Sequence, residues 1–176
     1  MTITLLTALG AALTLATITE TAIAANYREA AEVLYAAEGA VEFVMQELAG
    51  VADWSDVIAQ PGRSAFVDGP AGGIRTVGAV TVDLTQAPRD SESSVLYAFG
   101  RFQDLVGSST DRSPMIYVAV WVADRSAESA DDTSVPAALS VLGLAYGPRG
   151  SRRAVEAIVM KTESSAVRVL SWREVR

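Results

Sequence analysis

The side chains that could support a nucleophilic reaction are serines, one lysine and a set of carboxylates. The chain contains no histidine and no cysteine, so the commonest general base near neutral pH and the thiolate nucleophile are both excluded. A serine nucleophile needs a base within reach, and Lys161, the single lysine, lies near the end of a predicted strand, where we expect it to be solvated. No pair of carboxylates has a spacing that indicates an acid and a base. The sequence therefore predicts a protein that is not an enzyme.

An acidic stretch, residues 124–134, is the place where a metal ion could bind. Its oxygen ligands match the spacing of no EF-hand loop, so we favour a solvated loop and keep Ca²⁺ as the alternative. Imidazole and thiolate metal sites are excluded because histidine and cysteine are absent. We expect no cofactor. The carboxylates of this stretch are Asp124, Glu128, Asp131 and Asp132.

The charge of the chain is acidic and unevenly distributed. The formal net charge is −7 over 176 residues, which argues against a nucleic acid partner because phosphate binding needs a basic face. Residues 1–50 hold six glutamates against Arg28 alone, whereas the remaining residues are close to balanced. The length allows one ordinary domain and an appendage.

The first 19 residues contain no charged side chain. As a helix they would extend about 28 Å at about 1.5 Å per residue, close to the hydrocarbon thickness of about 30 Å in a bilayer. Six threonines dilute the hydropathy, but a threonine inside a helix can bond back to the preceding turn and is tolerated in lipid. We therefore predict a membrane span at about residues 1–19. The residues expected to serve the span and later assembly are Leu5, Leu9, Leu13, Ile18 and Glu20.

Two other interpretations of this segment remain open. Residues 22–24 read Ala-Ile-Ala, which resembles the small-residue cleavage site of a secretory signal peptide. However, no basic residue precedes the apolar run, and Glu20 lies between that run and the cleavage site. A core helix of a soluble protein is the other alternative, and 19 uncharged residues at the terminus argue against it.

The helical pattern continues after Glu20 as an amphipathic segment up to Gly50, which is a natural stop signal. Apolar residues recur at spacings of three and four and form one stripe, and the glutamates fall largely outside it. We therefore divide the chain into a rod helix, residues 1–50, and a β-rich head, residues 51–176. The stripe consists of Ala30, Leu34, Ala37, Val41, Val44 and Leu48.

The head is predicted from runs of β-branched and aromatic residues. Residues 51–78 are expected to form a loop anchored by Trp54 and Phe66, and residues 78–84 a short strand or a helical turn. Residues 95–102 suggest a strand followed by a helical turn. Residues 115–124 are apolar on both sides, which predicts a central strand covered on both faces. Three further runs, 138–147, 152–162 and 166–175, complete a four-strand antiparallel meander that the rod could cover.

The turn between residues 147 and 153, Gly-Pro-Arg-Gly-Ser-Arg-Arg, is a small basic cluster. We interpret it as the turn of a β-hairpin. Contact with an acidic partner is the alternative interpretation.

The N-terminal pattern resembles that of PilX-type minor pilins of type IV pili. The family typically has an apolar span, a glutamate, an Ala-Asn-x-Arg element and an Ala-x-x-Ala-Glu motif with a second glutamate, and the match covers about the first 50 residues. Residues 150–162 are similar to the closing strand that these proteins often share. The positions that carry the resemblance are Glu20, Ala25, Asn26, Arg28, Ala36, Ala37, Glu38 and Glu42.

The resemblance implies an α+β fold, a pilin-like α/β roll in which a long N-terminal helix packs on an antiparallel sheet. It implies a subunit for type IV pilus assembly, held in the bacterial inner membrane with its head outside the cytoplasm and moved into the pilus on assembly. The implied partners are other pilins and minor pilins, inner-membrane lipid and the pilus assembly machinery.

The sequence departs from the family at its start. Prepilins begin with a short basic leader that ends in glycine, followed by an early glutamate, and neither occurs here. An upstream start, a truncated chain and an atypical family member all stay open, and Glu20 is not assigned the role of the early glutamate. The alternative functions are a type II secretion pseudopilin, an exported soluble binding domain with a cleaved signal peptide and, ranked last, a membrane-anchored hydrolase.

Overall fold

The chain begins with one helix, α1, which runs unbroken from Thr2 to Gly50 in a computed structural model. The structure describes residues 2–78, 80–85, 94–107, 115–125, 138–162 and 166–175. At 49 residues the helix is about 73 Å long. It contains no proline and is rich in alanine, the strongest helix former. The prediction of a single continuous helix through Glu20 is confirmed.

The head consists of short helices and antiparallel strands. In the described part of the chain, β3 to β7 form one five-stranded sheet in sequential order, and β1 pairs with β2 in a separate hairpin. The predicted α+β layout, a long helix packed on an antiparallel sheet, is confirmed. The elements are α2 (Ser55–Ala59), β1 (Ile74–Val77), β2 (Val80–Asp83), β3 (Val95–Arg101), α3 (Phe102–Leu105), β4 (Tyr117–Asp124), β5 (Ala138–Tyr146), β6 (Arg152–Lys161) and β7 (Val167–Val175).

The predicted meander of four strands was one strand short. The strand expected at residues 95–102 is β3, and it extends the meander by pairing with β4. The segment that we predicted to be a loop contains α2 and β1. Of the two alternatives left open for residues 78–84, the structure shows the strand, at residues 80–83. The strand β1 has only four residues, and Val77 is its buried one, so its conformation depends on β2 and on the sheet beneath it.

The inner face of the sheet packs against the second half of α1. Val41, Val44 and Leu48 are fully buried there, and Leu34 of the predicted stripe is only partly buried. Val33, Ala36 and Ala40 are buried as well, so the buried stripe is rotated around the helix axis relative to the predicted one. The sheet contributes Val118, Val120, Val122, Leu139, Val141, Ala145, Val155, Ala157 and Val159 to this core.

The outer face of the sheet is covered in part by the β1–β2 hairpin. Val77 and Val82 of the hairpin share a buried cluster with Tyr117, Trp121 and Leu144 of the sheet. Strand β4 is therefore buried on both faces along seven of its eight residues, which confirms the predicted central strand.

The two aromatic residues expected to anchor the loop after α1 do so. Trp54 is 3% exposed, and its indole Nε1 donates a hydrogen bond to the carbonyl oxygen of Leu48 at 3.0 Å. Phe66 packs edge-on against Phe43 of α1, with ring centroids 6.1 Å apart. Both contacts hold the loop on the end of the helix.

Candidate functional site

The first half of α1 projects beyond the head. Every residue from 2 to 24 is exposed, and the first buried residue of the helix is Val33. Within the described residues, α1 is the one helix that is long and apolar enough to cross a bilayer, and none of its apolar window is buried. The candidate site is therefore an apolar helical projection about 35 Å long.

The predicted span residues all lie on this projection. Leu5, Leu9 and Leu13 are 74%, 70% and 70% exposed, and their spacing of four places them along one face of the helix. Ile18 is 60% exposed on another side, and Glu20 is exposed as well. None of these side chains is buried by the head, so their apolar surface is available to lipid or to neighbouring helices.

The threonines of the projection bond to their own helix. The hydroxyl of Thr7 donates to the carbonyl oxygen of Ile3 at 2.9 Å, and that of Thr14 donates to Gly10 at 2.9 Å. Thr17 and Thr19 make the same bond one turn back. These hydroxyl protons need no water, which reduces the cost of placing threonine in hydrocarbon.

The residues that carry the family resemblance divide between two surroundings. Ala36 and Ala37 are buried in the contact of α1 with the sheet. The remaining positions are partly or fully exposed along the helix, so the structure brings together only the alanine pair. The exposed or partly exposed positions are Ala25, Asn26, Arg28, Glu38 and Glu42.

Glu29 fastens α1 to the turn between β5 and β6. Its Oε1 accepts a hydrogen bond from Ser151 Oγ at 2.9 Å and one from the Arg149 backbone N–H at 3.4 Å. The Arg149 guanidinium lies 3.6 Å from Glu29 Oε2. The sequence placed the glutamates largely outside the apolar stripe and predicted no partner for Glu29, and its position directly beside that stripe was the available signal.

At the other end of the packed half, Glu47 fastens α1 to the loop before β1. Its carboxylate accepts hydrogen bonds from Ser64 Oγ at 2.5 Å and from the Ala65 backbone N–H at 2.8 Å.

The prediction of a solvated Lys161 was wrong, because Lys161 Nζ donates to the carbonyl oxygen of Val51 at 2.9 Å and also to that of Ala52. These carbonyls follow the end of α1, where a cation is favoured.

Two glycines allow the helix to approach the sheet closely. A Cβ atom on Gly143 in β5 would lie 2.5 Å from Val41 Cγ2 and 3.0 Å from the carbonyl oxygen of Ala37. A Cβ atom on Gly147 would lie 2.6 Å from Val33 Cγ2. The packed half of α1 is therefore seated against the backbone of β5, and its axis fixes the direction of the projection.

No protein-family model, curated protein or solved structure matches this chain. The function is therefore inferred from the projection of α1 and from its attachment to the head.

The outer face of the sheet carries a buried carboxylate, Glu156 of β6. It accepts hydrogen bonds from Ser140 Oγ at 2.8 Å and from Arg173 Nε at 2.7 Å, and Arg125 lies 3.6 Å away. Burial raises the pKa of Glu156, but the bonds from Ser140 and Arg173 and the charge of both arginines outweigh it, so the pKa is lowered. The group is thus a paired anion, which makes it a poor general base.

The described residues give no further support to catalysis or metal binding. No cluster of three metal-ligating side chains occurs among them. The Ca²⁺ alternative depends on residues 124–134, and all but Asp124 and Arg125 lie outside the described residues. Burial raises the pKa of Tyr117 to about 12, so this phenol is a poor source of an anion near neutral pH.

Proposed function

We propose that the chain is a pilin-like structural subunit, inserted in the inner membrane by the projecting half of α1 and assembled through the same surface into a type IV pilus. The observation that carries the proposal is the continuity of α1 from its exposed apolar half into its buried half. The N-terminal resemblance to minor pilins supports it. No enzymatic activity forms part of the proposal.

One apolar surface can serve both states because lipid tails and the side chains of neighbouring helices are both apolar. In lipid, all backbone groups of a helix are bonded internally. In a fibre, the small residues Gly10 and Ala12 would allow neighbouring helices to approach closely. Reburial of about 1,000 Å² of apolar surface gives on the order of 25 kcal/mol before entropy and lost lipid contacts are subtracted.

The test is to place a charge in the projection. We expect the double variant Leu9→Arg, Leu13→Arg to be lost from the membrane fraction, since each arginine costs about 2.5–3.5 kcal/mol at the centre of a span. Thermal unfolding of the head should stay unchanged. Gln46→Arg, an exposed position on the packed half, is the matched control and should stay in the membrane.

Assembly is tested separately, by crosslinking the chain to other pilins in cells that make pili. We expect crosslinks through the projection, and their loss in the Leu9→Arg, Leu13→Arg variant. A variant that remains in the membrane fraction would refute the span. An intact span without pilin crosslinks would refute the pilus role.

The alternative is an exported soluble binding domain whose first 24 residues are removed as a signal peptide. It is favoured by one observation, that residues 2–24 make no buried contact with the head. The intact mass of the mature protein decides between the two, because a chain that begins at Ala25 has lost the projection. A type II secretion pseudopilin shares the membrane span with the pilus proposal and differs in its crosslinking partners.

A further inference from the structure

One end of the head faces the projecting half of α1. Glu29 contacts the β5–β6 turn at this end, whereas Lys161 contacts the segment after α1 at the opposite end. The pairing of neighbouring strands shows which other residues lie at the first end. Arg101 pairs with Tyr117, Tyr117 with Tyr146 and Tyr146 with Arg152. Arg101 and Arg152 therefore lie in one row across the end of the sheet that would face a membrane.

Arginines at this end are exposed and frame a cavity. The side chain of Arg149 is 68% exposed, and that of Arg153 is 38% exposed. A cavity of about 380 Å³ is lined by Arg152, Arg153, Ala154 and Val175. Arg149 lies near Glu29, and Arg153 is paired with Glu174 at 3.0 Å. Arg152 lies over the ring of Tyr146 and has no carboxylate partner in the described residues.

The height of these arginines above the bilayer follows from the helix. If the span ends at Glu20, Glu29 lies about 14 Å further along α1. The headgroup layer occupies about 5–8 Å of that distance, which leaves the arginines within about one Debye length, 8 Å, of the headgroups. Tyr27, which is 75% exposed, lies between the two levels, where aromatic residues prefer the membrane interface.

We propose that Arg149, Arg152 and Arg153 form a binding surface for anionic phospholipid headgroups on the membrane-facing end of the head. This inference rests on the proposed membrane span. Guanidinium groups bind phosphate through paired N–H donors, and the cavity that Arg152 and Arg153 help to line offers room for such a headgroup. The surface would hold the head upright on the bilayer before assembly.

The experiment uses the full chain in nanodiscs of phosphatidylcholine, with or without phosphatidylglycerol, and follows backbone hydrogen exchange. We expect exchange of residues 147–153 to slow about fivefold or more in phosphatidylglycerol, the gain of about one arginine at an anionic surface. The Arg149→Gln, Arg152→Gln variant should exchange equally in both lipids. Exchange of β4 reports that the head is folded in every sample.

A control variant at the opposite end of the head, Arg63→Gln with Arg168→Gln, removes the same charge and should keep the lipid dependence. Equal exchange of residues 147–153 in both lipids for the natural chain would overturn the headgroup surface alone. Failure of the chain to enter either nanodisc would overturn the membrane span and this inference with it.

Discussion

Among the glycines of the head, Gly143 is the one at which an added Cβ atom would come closest to α1. The Cβ of an alanine at this position would overlap Val41 and press on the carbonyl oxygen of Ala37. A fully buried valine and a helix backbone have little freedom to move away, because protein interiors are close-packed. A larger side chain at residue 143 would therefore push α1 away from the sheet.

We predict that Gly143→Ala lowers the free energy of unfolding by about 1–3 kcal/mol, the usual cost of overpacking. Urea denaturation of the full chain in a neutral detergent measures the loss. Gly50→Ala is the control, because a Cβ there meets nothing within 4 Å. Equal stability of Gly143→Ala and Gly50→Ala would contradict the close approach.

A second residue-scale prediction concerns Glu156 and pH. Its lowered pKa means that the ionised form stabilises the fold above the unfolded-state value of about 4.3, and that this contribution is lost as the pH falls through the lower folded value. We expect Glu156→Gln to cost about 1–2 kcal/mol at pH 7. The natural chain should lose more stability than the variant between about pH 5 and 3.

Denaturation at pH 7, 5 and 3 tests this expectation. Glu174→Gln serves as the control, since Glu174 and its partner Arg153 have side chains 36% and 38% exposed and exposed pairs contribute about 0–1 kcal/mol. A parallel fall in the stability of the natural chain and of Glu156→Gln would show that other carboxylates govern acid unfolding.

At the scale of elements, α1 is held to the head at both ends of its packed half. Glu29 binds the β5–β6 turn, and Glu47 binds the loop that carries Ser64 and Ala65. That loop also covers the free edge of β3, since the Gly62 N–H donates to Leu96 and the Asp68 N–H to Phe99. Glu47 thus links the helix to the protection of a sheet edge.

We predict that Glu47→Ala releases this loop. The Ser64 hydroxyl and the Ala65 N–H lose their acceptor, and we expect a cost of about 1–3 kcal/mol with faster proteolysis within residues 61–68. Glu42→Ala, an exposed glutamate on the same helix, is the matched control. Limited proteolysis followed by mass spectrometry locates the cuts, and equal cleavage of the two variants would argue against the role of Glu47.

For the whole molecule, one continuous helix joins the projection to the head, but the projection does not contribute to the folding stability of the head. Residues 2–24 are exposed, so they stabilise nothing in the head. We predict that a chain beginning at Ala25 keeps its free energy of unfolding within about 0.5 kcal/mol, as expected of surface changes, and no longer needs detergent.

A second truncation makes that prediction discriminating. A chain that begins at Glu38 loses Val33, Ala36 and Ala37, all fully buried, and burial of a valine alone contributes about 1.5–3 kcal/mol. We expect this chain to unfold or aggregate. Circular dichroism and thermal melting compare the two truncations, and a stable chain from Glu38 would disprove the packing role of the first turns.

The sequence by itself determined α1 and the strands β3 to β7, because their signals are local. The absence of proline from α1, the absence of charge from its first 19 residues, the period of three and four, and the long β-branched runs of the strands each act within one segment. Sequence also placed Leu9 and Leu13 in an apolar segment, since hydropathy needs no knowledge of neighbours.

Only the tertiary structure decided which segments meet. The bond from Ser151 to Glu29 joins residues 122 positions apart, and the bond from Lys161 to Val51 joins residues 110 apart. The strand β1 and the close approach at Gly143 likewise depend on partners elsewhere in the chain. Local propensity contains no information about such partners, because their energy appears only when the sheet and the helix are packed together.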